Sequence, residues 1–548
     1  MRGAQRGNAV KLSDFNPSTE GDATAAIQAA LDASQGGILE FDVAGRFLVN
    51  RLRPRNGTTI VMHGGVTLAK ATNTAGVLYM QDCEGVRIIG NGAHVDGVDY
   101  QPTTAKGHTV YALGTVDCTI DGLIVDGATD AKDCLYIGLG AKPNERLHVV
   151  RCKFLRAKRN GISVVAGFDT LIEDCEAAYA VGAPGAGVDI EANFYNHVAR
   201  TTLRQVHAHH NSGAGILSIF GVNTIAEDCD SHSNGAYGLA ASSGGYQFAE
   251  TVYRPNVDMI GVTGFDALTG TVFVAAQPPI GTPVNFSLRN GAQRPPDLSG
   301  SYYVVSRHIG TNGLVLGKSV RNSEVTSFST SGTGVMSADP YQSDIRLRAF
   351  VKGQSDGMEV RGGRYHANAT QGLFAAGGGK LRFSGAEVFG NGSNQVQVSY
   401  TRDVDIERLR VSGGNHMGIA ASNGGGRLRI ADCEFDRTGG RAISVAEWTG
   451  AEIDRNSVDN CAATEASSAK AGIHIASCLR PAVTRNRVTQ AGTNTTTLYG
   501  IYAEGTAVNG VFRDNDLTGA GTTAINALRV MSPTCVVSGN IGRDGLPL

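Results

Sequence analysis

In the word GVDIEAN, Asp189 and Glu191 are separated by one apolar residue. Residues i and i+2 of an extended strand share a face, with α-carbons roughly 6.6 Å apart for a rise of about 3.3 Å per residue. Two carboxyls so placed fall within the roughly 5–9.5 Å that retaining and inverting glycoside hydrolysis use. The next segment, ANFYNHVAR, adds Asn193, Tyr195, Asn196 and His197: an aromatic, two amides and a titratable imidazole, the groups that sugar binding and proton transfer need. Asp189, Glu191 and His197 are therefore the catalytic candidates, with Asn193 and Tyr195 as substrate contacts. Two other readings compete: a calcium-binding or ligand-orienting pair, and ordinary solvated carboxylates on an exposed strand.

Further candidates lie near in the repeat or far in sequence. Lys158 and Arg159, with Asn160, occupy the turn before a neighbouring strand, where a cation can neutralise a uronate carboxylate; a solvated basic turn is the plain alternative. Tyr136 offers an aromatic platform for a sugar face. Glu359, accompanied by Arg361 in the word DGMEVRG, is a more distant substrate-binding candidate. His207, His209 and His210 cluster, but spacing supplies no second ligand group, so no metal is expected. The stretch Gly182 to Gly187 (GAPGAG) lacks the strand-turn-helix context of a nucleotide loop and reads as a corner.

A short phrase must position these residues, because it recurs along the chain: an apolar residue, polar ones, Cys or Asn, a variable residue, then another apolar one. It surrounds Cys152, Cys175, Cys229, Cys433, Asn456, Asn486 and Asn515. The intervals Cys152 to Cys175, Val206 to Cys229 and Cys433 to Asn456 are each 23 residues, the length of one coil of a parallel β-solenoid. Single glycines beside β-rich words (NGIS, GAGVDI, AGIHIA) predict corners at positive φ. Aligning the words that start at Leu135, Ile162, Val188 and Ile216 puts Val188 and Ile190 inside, beside Ile162 and Val164. Asp189 and Glu191 then point outward, in the same column as Ser163 and Tyr136.

The 548 residues carry a net charge of −2, which gives no electrostatic case for nucleic acid or an anionic membrane. No run of about 18 apolar residues spans a bilayer, and the N-terminal residues show no apolar signal-peptide core. The ten cysteines, four of them on the repeating mark, read as buried free thiols. The fold class predicted is all-β, a right-handed parallel β-helix with an N-terminal helical cap and a small inserted β domain. Its boundaries are 1–60 for tail and cap, with a helix over 22–34; 61–249 for the first coils; 250–343 for the insertion; and 344–548 for the second coils, opening with DIRLRAF.

The opening DATAAIQAALDASQGGILEFDVAGRFLV resembles the cap of the pectate-lyase-like superfamily, shared by polygalacturonases, polysaccharide lyases and bacteriophage tailspikes; the coils share that superfamily's repeat texture, and the insertion is similar to small β modules of phage tail proteins. The resemblance implies a tailspike-like depolymerase cleaving an extended bacterial surface or uronate-containing glycan, outside the cell or on a virion, as a homotrimer. It implies no required cofactor. The NTD, DD, GHG and RIK words of polygalacturonases and the DPHD word of alginate epimerases are absent, so no further family residues are carried over. With Glu191 as general acid and Asp189 as nucleophile or base, or the reverse, the leading expectation is a glycoside hydrolase. A lyase with bound calcium and a non-catalytic glycan-binding adhesin are the alternatives.

Overall fold

The computed structural model describes residues 9–71, 76–97, 107–128, 131–192, 198–219, 221–242, 257–266, 269–274, 283–288, 301–307, 312–317, 345–350, 357–377, 379–399, 401–424, 426–462, 470–490, 499–521 and 527–548. Its contacts divide into two units, residues 1–242 with 355–548, and residues 243–354.

The first unit is a parallel β-solenoid. Each coil lays one short strand into each of three long sheets, of 17, 14 and 14 strands. A representative coil runs Leu171–Glu173 in the first sheet, Glu176–Ala178 in the second and Val188–Glu191 in the third. All neighbours pair in parallel, and Val188, Asp189 and Ile190 stand opposite Ile162, Ser163 and Val164. Inward residues such as Ile162, Val164, Val188, Ile190 and Ile216 are fully buried, so like stacks on like through the core. Coils on either side of the second unit pair directly: Ile225–Glu227 with Glu359–Arg361, and Leu239–Ser242 with Leu373–Ala376. Before the coils, the helix Thr24–Ala33 buries Ile27, Ala30 and Leu31, and the Asp22 carboxylate accepts the Thr24 backbone N–H at 2.8 Å. It is the one α-helix among the described residues, and none is long and apolar enough to cross a membrane.

The repeating mark is the corner between the first and second sheets. The residue just before it takes the left-handed conformation: Arg151, Asp174, Asp228, Asp432, Arg455, Arg485 and Asp514 all have φ between 49° and 56°. The mark then turns inward. Asn456, Asn486, Asn515 and Asn540 form a buried amide ladder in which each Nδ2 donates to the Oδ1 of the next at 2.8–3.0 Å. Each Oδ1 also accepts the backbone N–H of the preceding mark. Where Cys occupies the mark, its thiol replaces the amide: the Cys152 N–H donates to Cys175 Sγ at 3.4 Å. All ten cysteines are free and nine are buried. A second ladder, Asn211, Asn234, Asn368 and Asn391, follows the second sheet and continues from Asn234 to Asn368 across 134 residues of sequence.

The glycine expectation holds in part: Gly122, Gly362, Gly385 and Gly539 take positive φ at the corner where other coils use Asp or Arg, and Gly185 has it too, whereas Gly161 and Gly187 do not. A Cβ on Gly161 would lie 2.6 Å from the Gly187 carbonyl oxygen, and one on Gly187 2.7 Å from that of Gly215. These glycines let successive coils approach at the entry to the third sheet, which is a packing requirement.

The second unit contains a closed antiparallel barrel of six strands, Val257–Asp266, Thr271–Val274, Gly313–Gly317, Ser301–Arg307, Pro283–Leu288 and Ile345–Phe350 in spatial order. Ile345–Phe350 is a correction to the sequence reading, which gives it to the resumed coils. It pairs antiparallel with both Val257–Asp266 and Pro283–Leu288 and closes the barrel. Period-two alternation is common to barrel and coil strands, so the pattern alone does not separate them.

Removing one amide from the ladder strands buried donors and acceptors on both sides. Asn486→Ala leaves Asn456 Nδ2, the Asn456 N–H, the Ile453 carbonyl and Asn515 Oδ1 without that partner. At roughly 1–3 kcal/mol for a buried unsatisfied group, the expected loss is at least about 2 kcal/mol, read as a lower denaturant midpoint in urea unfolding.

Candidate functional site

Parallel register turns the outward residues of the third sheet into a column. Tyr79, Tyr111, Tyr136, Ser163, Asp189 and Leu217 occupy successive rungs, about 4.7–4.9 Å apart. One end of the column is aromatic. Tyr79 and Tyr111 have ring centroids 4.7 Å apart, and His108 stacks on Tyr136 at 4.2 Å with 9° between planes. Arg51 and Arg53 lie over the Tyr79 ring at 5.1 and 5.5 Å.

The aromatic run ends against a group of acids and amides. Asp133, fully buried, has one carboxylate oxygen 2.9 Å from His108 Nδ1 and the other 3.2 Å from Arg159 Nε. The latter oxygen also accepts the Asn160 backbone N–H. The Asn160 side chain then ties its own coil to the next one. Its Nδ2 donates to Ser163 Oγ at 3.0 Å and Asp189 Oδ2 at 2.9 Å, and its Oδ1 accepts the Ala186 N–H.

The sequence reading puts both carboxylates of VDIEA in solvent, and the structure corrects it for Asp189, which has 0% exposure. Its rung position is the outward one, but Asn160 closes over Oδ2. Alternation tells which way a side chain leaves the core, and nothing about what then covers it. Glu191, two residues on, is half-buried. Arg159 and Tyr136 belong to this cluster; Lys158 is exposed in the preceding turn. Glu359 does not join it. It lies in the first sheet, bound to Arg361 at 2.7 Å, with Arg382 at 3.6 Å. Asn193, Tyr195, Asn196 and His197 lie outside the described residues. Asp133, His108, Tyr111 and Asn160's carboxyl-binding role were not found from sequence, since their partners lie one or more coils away.

The same column carries a second polar group at its other end, through Ser444, His474, Tyr502 and Arg529. His474 Nδ1 lies 2.7 Å from Arg441 Nη1, and its Nε2 is 3.0 Å from Glu504 Oε1. The guanidinium can only donate, so Nδ1 accepts and Nε2–H donates to the carboxylate. Burial, reinforced by Arg441, lowers the His474 pKa to about 4 and keeps the ring neutral. Tyr499 and Tyr502 stack at 4.9 Å beneath Arg529.

The sequence profile of the family described as "right handed beta helix region" matches residues 137–257, 307–458 and 348–517, more than half of the chain. The chain belongs to the right-handed β-helix family. No curated protein matches this β-helix. Among solved structures it is similar to the tailspike protein of E. coli bacteriophage HK620 in complex with a pentasaccharide, at 10% identity over 96% of this chain and 78% of that one, with a TM-score of 0.42. It is also similar to the A-module of the Azotobacter vinelandii mannuronan C-5 epimerase AlgE4, at 13% identity over 96% and 100%, with a TM-score of 0.38. A third is PfbA, a surface adhesin of Streptococcus pneumoniae, at 10% identity over 82% and 88%, with a TM-score of 0.36.

In this β-helix the acids of the third sheet are unlike those of the first. Burial, then the charge of Glu191, pushes the Asp189 pKa from its ordinary 3.8 up to about 8, against the opposing pull of Arg159 and Asn160. Asp189 therefore keeps its proton at neutral pH. The sign of the stability effect follows: the folded chain holds a proton that the unfolded chain releases above about pH 4. Stability from the neutral acid is complete below that pH and is lost as pH rises toward about 8. Asp189→Asn retains the neutral shape and an oxygen for Asn160. The variant should gain stability relative to the parent between about pH 4 and 8, measured by urea midpoints across that range; a difference independent of pH would contradict a protonated Asp189.

Proposed function

We propose that this β-helix is an enzyme acting on an extended polysaccharide laid along the outward column of the third sheet. The observation that carries the reading is a carboxylic acid held neutral beside a second carboxyl, at the end of an aromatic run. Tyr79, Tyr111, Tyr136 and His108 offer ring faces to successive sugars, and the rung spacing is comparable to the length of a pyranose unit. Arg159 sits beside the acids, where it can meet a charged substituent on the polymer.

In the hydrolytic form of this reading the environment reverses the first assignment of roles. The half-buried Glu191 carries charge more cheaply than the enclosed Asp189, so Asp189 holds the proton and acts as general acid toward the leaving glycosidic oxygen. Glu191 is the anion that attacks the sugar or activates water. A pair with one proton in each functional state separates acid from base at one pH. One observation favours a second reading, glycan binding without cleavage: the Asp189 carboxyl has no exposed surface, so a polymer must enter the site to receive its proton. An adhesin would leave that acid covered.

The test is to incubate the chain with a panel of bacterial capsular and uronate-containing polymers and weigh the products. Cleavage with water added is expected. Products lighter by one water that absorb in the ultraviolet would show elimination instead, and tight binding without products would show the adhesin. For a hydrolase, Asp189→Asn and Glu191→Gln should each lower the rate at least 100-fold, in keeping with the roughly 10²–10⁴-fold worth of general acid–base catalysis. Glu359→Gln, on another sheet, should leave it unchanged. The parent rate should fall above about pH 8 as Asp189 loses its proton.

A further inference from the structure

The histidines set aside in the sequence for want of a second ligand group acquire one in the fold. On the second sheet, His207–His209 and Asp230–His232 are adjacent parallel strands, with His207 opposite Asp230 and His209 opposite His232. His207 Nε2 lies 2.9 Å from His232 Nε2 and 4.0 Å from Asp230 Oδ2. One ligand atom from each of the three residues falls within 4.8 Å of the others. We infer that His207, Asp230 and His232 form a binding site for a divalent transition-metal ion, with zinc as the representative ion.

The spacings fit one ion. With Zn–N bonds of about 2.0–2.1 Å, two donors at the tetrahedral angle are roughly 3.3 Å apart, between the 2.9 and 4.0 Å present here. Seating the ion draws the Asp230 carboxylate in by roughly 0.7 Å or more, since its oxygen is 4.0 Å from His207 Nε2 and all three ligand atoms lie within 4.8 Å of one another; the exposed side chains of His207 and Asp230 are free to make that move. Two imidazoles and one carboxylate select a borderline ion over calcium or magnesium, which prefer all-oxygen shells. In the metal-free chain one Nε2–H donates to the other nitrogen, and the ion takes the place of that proton.

The surrounding residues hold the ligands in place. His232 Nδ1 lies 3.1 Å from Ser233 Oγ, which can accept a hydrogen bond from a protonated Nδ1; in that tautomer the Nε2 lone pair faces His207. His366, from the coil that follows residue 355 in sequence, has Nε2 3.3 Å from Asp230 Oδ1, in ion-pair range though not in hydrogen-bond geometry, and backs the carboxylate from behind. The His232 ring is sandwiched, stacked on His209 at 5.2 Å and on His366 at 5.0 Å, and His366 stacks in turn on Phe389 at 4.6 Å. On the solvent side His207 and Asp230 keep side-chain exposures of 46% and 36%, which leaves an entry path and room for water as the remaining ligand. None of these residues belongs to the carboxyl site of the third sheet.

The experiment is calorimetric titration of the EDTA-treated full chain with zinc chloride, with calcium chloride as a second arm. One zinc ion per chain should bind with micromolar affinity, and calcium should not compete. His207→Ala and His232→Ala should each weaken zinc binding at least tenfold, and His366→Phe, which keeps the ring stack but cannot hold Asp230, should weaken it by a similar factor. His416→Ala, an exposed histidine elsewhere, serves as the control and should bind as the parent does. Unchanged melting temperatures of the metal-free variants would separate lost ligands from lost folding. No zinc binding by the parent, equal affinity in both His207→Ala and His232→Ala, or calcium displacing zinc would each overturn the site.

Discussion

The coil corner between the first and second sheets is the constraint on which the rest of the molecule depends. A chain that turns sharply every few residues leaves backbone donors and acceptors facing inward, where each unmet group costs roughly 1–3 kcal/mol. The left-handed residue makes the turn, and the buried Asn or Cys after it meets the backbone N–H of the neighbouring corner. A ladder of this kind fixes register as well as energy, because an amide one residue out of step has no partner above or below. Once the corner is in register, Val188 must stack on Ile162 and Asp189 on Ser163. The columns of the second and third sheets follow from a hydrogen-bonding rule operating elsewhere in the coil.

That rule is also why the fold was legible and the sites only partly so. The mark recurs, at intervals of 23, 25, 29 or 30 residues, because every corner needs the same chemistry, and the inward positions of Val188 and Ile190 follow from alternation after it. The enclosure of Asp189 is different. It depends on Asn160, 29 residues earlier, and on Asp133 and His108 beyond that, brought near by stacking whose intervals vary with loop length. Likewise His207 reaches His232 only across a strand pair, and Asp230 is braced by His366 across the whole second unit. Neither link has a local sequence signal. Ile345–Phe350 shows the opposite failure: its local pattern was clear, and it was compatible with two architectures.

The carboxylates of this scaffold differ more in their surroundings than in their rung positions. Glu407, in the first sheet, is pulled down to about 2 by Arg382, with Arg429 and Arg408 adding to it, and neighbouring pairs such as Arg204 with Glu173 and Glu227 repeat the pattern along the coils. Such ladders satisfy charge on an outer surface and individually contribute little. Asp189 lies within reach of one guanidinium, that of Arg159, which already faces Asp133, and its own acid neighbours outweigh that help. A fold that pairs its outer acids so regularly, yet keeps one enclosed carboxyl neutral, retains at that point a group whose proton can be moved.

Solenoid stacking also explains how two chemically distinct sites can lie close in sequence without sharing a residue. The coil 171–192 gives Glu176 to the second sheet and Asp189 to the third; the next gives His207 and His209 to one and Leu217 to the other. Each coil touches only its neighbours, so the two columns draw their order from the same few corners, including Cys175, Val206 and Cys229. A lesion at one of those corners would loosen both columns, whereas a lesion at Asn515 lies several coils away and would be transmitted only through the intervening stack. The sites are therefore coupled in stability through their shared coils while remaining separate in chemistry, since the side chains that serve each leave the backbone toward different sheets.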